Sequence, residues 1–182
     1  MRELTVRIRF TKHSLGNVKV QRTGRFAFAR NPSTGAVTFL PTWHQSNMRF
    51  ASQLLGRHHE DVKKILWDIN VDGVLEKGSW YRRFYTVNGT NKQRYVLHES
   101  FQPGQTVGIN CVVPANISDD DFWELMRIAG QYKGLSPARP EEFGHFEVVS
   151  IRPRRRAADT SETEEGDNAK RPGRVPTSPT SS

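Results

Sequence analysis

Leu4, Val6, Ile8 and Phe10 alternate with Thr5, Arg7 and Arg9 near the start of the chain. A period of two places the apolar set on one face of a β-strand and the polar set on the other, so a half-buried strand with a basic outer face is expected. A glycine-punctuated basic stretch follows, with Gly16, Lys19, Arg22, Gly24 and Arg25. Residues 25–30 and 36–40 then flank Asn31-Pro32-Ser33-Thr34-Gly35 and read as a hairpin. Thr42-Trp43-His44-Gln45 has capping-box spacing behind Pro41, and Met48, Ala51, Leu54 and Leu55 fall on one helical stripe that Gly56 closes. Further runs at 65–71, 80–87, 94–99 and 106–113 predict an antiparallel meander with a turn at Asn88-Gly89. Ser118 and Asp121 form a second capping pair ahead of the stripe Phe122, Leu125, Met126 and Ala129. Gly134 should end that helix, and Gly144 precedes a closing strand over 145–151.

With the hairpins set aside, the order is strand, helix, strands, helix, strand. That is an α+β, ferredoxin-like arrangement: two helices on one face of an antiparallel sheet, with the other face free. From residue 153 the text is charged and rich in Ser, Thr and Pro, with almost nothing apolar to offset the entropy of ordering it. One folded domain over 1–152 and a disordered tail over 153–182 are therefore expected.

Charge and chemistry narrow the function. Lys and Arg number 27 against 19 Asp and Glu, a net charge of +8 that favours a polyanionic partner. The single cysteine, Cys111, excludes a disulfide framework and a Cys-rich zinc site. No apolar run of about 18 residues is present, so no membrane partner and a cytoplasmic setting are expected. Asp68-Ile69-Asn70-Val71-Asp72-Gly73 opens like a calcium loop, but Ser79 occupies the position of the bidentate Glu; no metal or cofactor is expected. Trp80-Tyr81-Arg82-Arg83-Phe84-Tyr85 interleaves rings with guanidinium groups, the combination that stacks on bases and holds phosphates. In a strand, Tyr81 and Arg83 face one way while Trp80, Arg82 and Phe84 face the other.

The connection into the closing strand reads Lys133-Gly134-Leu135-Ser136-Pro137-Ala138-Arg139-Pro140-Glu141-Glu142-Phe143-Gly144. It resembles the glycine-rich loop of the RAMP superfamily, the ferredoxin-like proteins of CRISPR systems. Phe39-Leu40-Pro41-Thr42 with Met48-Arg49 is similar to the way CRISPR effector backbone subunits enter their first helix, and some phage-encoded proteins carry a like loop. Ser136 replaces the loop's second glycine, and four strands are expected between the helices where the simple fold has two.

These readings converge on a non-catalytic protein that binds single-stranded nucleic acid, RNA foremost or DNA, and that can self-associate or assemble along it. The candidate contacts are Arg7, Arg9, Arg22, Arg25, Tyr81, Arg83, Lys133, Gly134, Arg139 and Gly144. Gly134 and Gly144 would let backbone amides approach a phosphate closely. The resemblance also implies an alternative, a metal-independent endoribonuclease with His44 as general base on a ribose 2′-hydroxyl. A third reading is a phage assembly or protein-interaction module in a bacterial or phage-infected cell.

Overall fold

A computed structural model describes residues 1–21, 23–73, 75, 79–136 and 142–154. Its elements are β1 (Arg2–Phe10), β2 (Ser14–Leu15), β3 (Val18–Val20), β4 (Arg25–Ala27), β5 (Ala29–Arg30), β6 (Val37–Thr38) and α1 (Pro41–Leu55). They continue with β7 (Leu66–Asp72), β8 (Trp80–Thr86), β9 (Gln93–Phe101), β10 (Thr106–Val113), α2 (Asp119–Tyr132) and β11 (Phe146–Pro153). Among the described residues, one sheet runs β11-β1-β10-β7-β6-β5, and β2-β9-β4-β3 form a second, with β8 paired to β9. Keeping only β1, α1, β7, β10, α2 and β11 leaves the βαββαβ frame, with its strands ordered fourth, first, third, second. The fold is ferredoxin-like.

Alternation in β1 builds the core. Leu4, Val6, Ile8 and Phe10 are buried, whereas Arg7 and Arg9 are exposed on the other face. The helices cover the apolar side: α1 packs on α2 and β7, and α2 on β11. Ser118 caps α2 by accepting from the Asp121 amide at 3.1 Å, and Phe122, Leu125, Met126 and Ala129 are all buried.

Local chemistry departs from the sequence reading at several places. Thr42 does not cap α1. Pro41 occupies its first turn and Leu40 is the N-cap with no side-chain bond, because proline's fixed φ already suits that position. The buried stripe of α1 is His44, Asn47, Met48, Ala51 and Ser52, and Leu54 is exposed. The expected hairpin shrinks to β5 with β6, since β4 pairs with β3 and β9 instead. No four-strand meander forms: β7 pairs directly with β10, and β8 with β9 leaves the frame as an inserted hairpin. Within β7, Trp67 opposes Cys111 and Val71 opposes Ile109, so the strand bulges between them and turns Ile69 outward while both flanking residues stay inward. The Asp68 carboxylate fastens that bulge by accepting from the Asn70 amide at 3.0 Å. The closing strand also runs past the expected boundary, to Pro153, and the Arg154 amide still donates to Glu3 O at 3.0 Å. The rest of the expected tail lies outside the described residues.

Gly134 and Gly144 bring backbone onto backbone. Their φ angles are +67° and +73°, and a Cβ on Gly144 would lie 2.5 Å from the carbonyl carbon of Leu135. Gly89, at φ +76°, has open space around its missing Cβ. Gly144→Ala is therefore expected to cost more than about 2 kcal/mol, since it adds a backbone clash to the penalty of a left-handed conformation. Gly89→Ala should lose only about 1 kcal/mol. Urea unfolding of both variants measures the contrast, and equal losses would contradict the crossing described here.

Candidate nucleic-acid interface

The inserted hairpin resolves which of its two faces is free. Phe84 opposes Tyr95 across the β8–β9 ladder, and Trp80 lies on the same face. These rings are 59%, 51% and 38% exposed, far above core aromatics such as Phe10 and Phe39. Guanidinium groups sit against two of them: Arg82 is 4.6 Å from the Tyr95 centroid and Arg25 is 5.2 Å from that of Trp80. Each such pair contributes roughly 0.5–1 kcal/mol at an exposed site, enough to pre-set ring and cation without tying either up.

Tyr81 and Arg83 face the opposite way. Tyr81 packs edge-on against Phe143 at 5.4 Å and lies 4.6 Å from the His13 ring, while Arg83 sits 5.9 Å over Phe143. Both are half-buried. They dock the hairpin on Phe143, while Tyr85 further along that face is exposed; on the other face the exposed ring-and-cation set is Trp80, Arg82, Phe84 and Tyr95.

At the two ends of that loop the described amides are bonded within the protein. The Gly134 amide donates to Ala129 O at 2.9 Å, that of Leu135 to Gly144 O at 2.7 Å, and that of Gly144 to His13 O at 2.6 Å. The glycines are therefore required by the crossing of two chain segments, and their amides are not open to a phosphate. Ser136 has its own reason to replace glycine: its hydroxyl accepts from the Leu15 amide at 3.3 Å and fastens β2. Arg22 and Arg139, two expected contacts, lie outside the described residues.

Lys133 does reach an open surface. With Thr42, Gln45, Ser46, Arg49, Phe50 and Gln53 it lines a depression of about 540 Å³ along α1, and its ammonium lies 4.8 Å from the Phe50 ring. No carboxylate is among those lining residues. Arg49 also lines the adjoining depression with Gln53, His59 and Lys63. Hydroxyls, amides and two cations that among the described residues have no carboxylate partner make a surface suited to phosphate oxygens.

His44 is part of the core. It is 2% exposed, stacked on Trp67 with 4.5 Å between centroids, and burial lowers its pKa to about 3. The ring therefore lies in the core, whereas the nuclease reading of the sequence expects a side chain open to a ribose hydroxyl. Arg9 is also committed, to Glu147. Arg7 stands on the sheet face that carries no helix.

No family model matches the sequence, and no curated protein matches it. Among solved structures, a chain in the cryo-EM structure of the type III-B Cmr-β bound to cognate target RNA superposes with a TM-score of 0.62. The two share a fold. Identity is 13% over 83% of this chain, which spans 60% of the Cmr-β chain's length. Among the described residues no helix is long and apolar enough to cross a membrane.

The burial of His44 yields a signed pH dependence. A neutral histidine held at a pKa near 3 takes up its proton only on unfolding between pH 6.5 and about 3, so acidification through that window destabilises the fold. His44→Phe should flatten the fall in melting temperature between pH 6.5 and 4 while leaving nucleic-acid affinity unchanged. A loss of binding in that variant, with the fold intact, would restore His44 to the site.

Proposed function

We propose that this protein is a RAMP-like binder of single-stranded RNA that holds the strand without cutting it. One observation carries the reading: three solvent-facing rings, Trp80, Phe84 and Tyr95, share one face of an inserted hairpin with Arg25 and Arg82 stacked on them. An unpaired base offers a π-face to such a ring whatever its identity, and a buried base in a duplex does not, so single strands are selected over double strands. The α1 depression supplies the matching backbone contacts through Arg49 and Lys133. The ferredoxin-like frame shared with a chain of the RNA-bound Cmr-β structure supports a ribonucleic over a protein ligand. The burial of His44 in the core supports holding the strand over cutting it.

Base contact and phosphate contact separate by their salt response. Phe84→Ala is expected to weaken binding of a fluorescein-labelled oligouridine roughly ten-fold, because stacking contributes about 1–3 kcal/mol per base. It should leave the slope of log affinity against log salt unchanged. Arg49→Ala with Lys133→Ala should reduce that slope by about 1.4, at roughly 0.7 per phosphate contact on a single strand. Anisotropy titrations between 50 and 300 mM salt, with oligothymidine and duplex RNA beside the oligouridine, read both effects. Wild-type protein that binds none of the three, or binds duplex most tightly, would refute the assignment.

A further inference from the structure

The helix-free face of the ferredoxin sheet carries a second charged surface, made of residues other than those of the hairpin rings and the α1 depression. Cross-strand register defines its rows. Arg152, Thr5 and Asn110 lie side by side on β11, β1 and β10, and Ser150, Arg7, Gly108 and Asp72 form the next row on β11, β1, β10 and β7. Rows on one face lie two residues apart, about 7 Å along the strand. Together with Pro153 and Arg154 these side chains line a depression of about 300 Å³.

Its components are unevenly committed. Thr5 donates its hydroxyl to Asn110 Oδ1 at 2.7 Å, and Arg154 is held 3.8 Å from Asp68. Arg7 and Arg152 are both exposed, and among the described residues neither side chain has a hydrogen-bond or ion-pair partner. Gly108, between Arg7 and Asp72, presents no side chain to the face. The one carboxylate in the lining, that of Asp72, stands on the β7 side, so positive charge concentrates over β1 and β11.

We propose that this face is a second, base-blind contact surface for a polynucleotide backbone, so that one molecule can hold two single-stranded segments at separate surfaces. Three properties select the occupant. Unpaired guanidinium groups match phosphate oxygens with two parallel hydrogen bonds. The neighbouring hydroxyl and amide groups of Thr5, Ser150 and Asn110 are the neutral partners common in backbone contacts. The lining contains no ring and, apart from Pro153, no apolar side chain. Within the depression bases have nothing to stack on, and an acidic protein would find there no apolar centre of the kind a protein interface buries.

The inference extends the single-strand reading above, and its test separates the two. Stoichiometry with a ten-nucleotide oligouridine is measured by calorimetry at 50 mM salt on the full chain, for wild type, Arg7→Ala/Arg152→Ala and Arg82→Ala/Phe84→Ala, each checked for an unchanged melting temperature. Wild type is expected to bind two oligonucleotides, and each double variant one. The site kept by Arg7→Ala/Arg152→Ala should lose affinity on Phe84→Ala, and the site kept by Arg82→Ala/Phe84→Ala should show no preference among oligouridine, oligoadenosine and abasic strands. One oligonucleotide on wild type with Arg7→Ala/Arg152→Ala indistinguishable from it overturns the second surface and leaves the hairpin standing. Loss of all binding in Arg7→Ala/Arg152→Ala alone overturns the hairpin reading instead. Polyglutamate that binds this face while RNA does not would reject a nucleic-acid occupant there.

Discussion

Gly134 and Gly144 pass within the reach of one missing methyl group, and much of the molecule is positioned by that crossing. At Gly134 the chain leaves α2 through a left-handed residue whose carbonyl accepts from Asn47 of α1 at 2.7 Å, so both helices are referenced to the same point. At Gly144 it turns into β11 while donating to His13, just ahead of β2. Phe143, immediately before, supplies the surface on which Tyr81 and Arg83 settle. The frame and its inserted hairpin thus meet at a contact made of backbone, which side-chain substitutions elsewhere cannot readily loosen.

The distribution of charge follows from this construction. A sheet with helices on one side leaves half of its strand positions facing solvent, and on β1 those positions are Glu3, Thr5, Arg7 and Arg9. Acidic side chains are placed to neutralise some cations: Glu147 takes Arg9, Glu99 takes Arg30 and also accepts from the Phe28 amide, and Asp121 takes Arg57. Among the described residues, cations without a carboxylate partner include those of the hairpin, the flank of α1 and the β1–β11 face. A net charge of +8 alone would not reveal that partition.

The frame was legible because its signals are local. The alternation in residues 4–10 and the Ser118–Asp121 cap each depend on neighbours in sequence, and the structure reproduces them. The meander failed because nothing local distinguishes a strand that joins the main sheet from one that leaves it; the pairing of β7 with β10 is set by packing under the helices. The hairpin faces failed similarly. Alternation divided Tyr81 and Arg83 from Trp80, Arg82 and Phe84, but Phe143, some sixty residues away, determines which set is covered. His44 carries a polar label inside a stripe of helical period at 44, 48, 51 and 55, and that spacing was the available sign that the ring points inward. Arg49 and Arg152 were visible as charges, whereas their clustering with residues distant in sequence was not.

Cys111 sits on β10 opposite Leu4, 3% exposed, with burial holding its thiol up to about 12. At neutral pH it has almost no thiolate to offer an alkylating reagent. A cysteine introduced at the tip of the hairpin would therefore be the sole reactive sulfur on the native protein. A single-site fluorophore or spin label could be placed there without first replacing the natural residue.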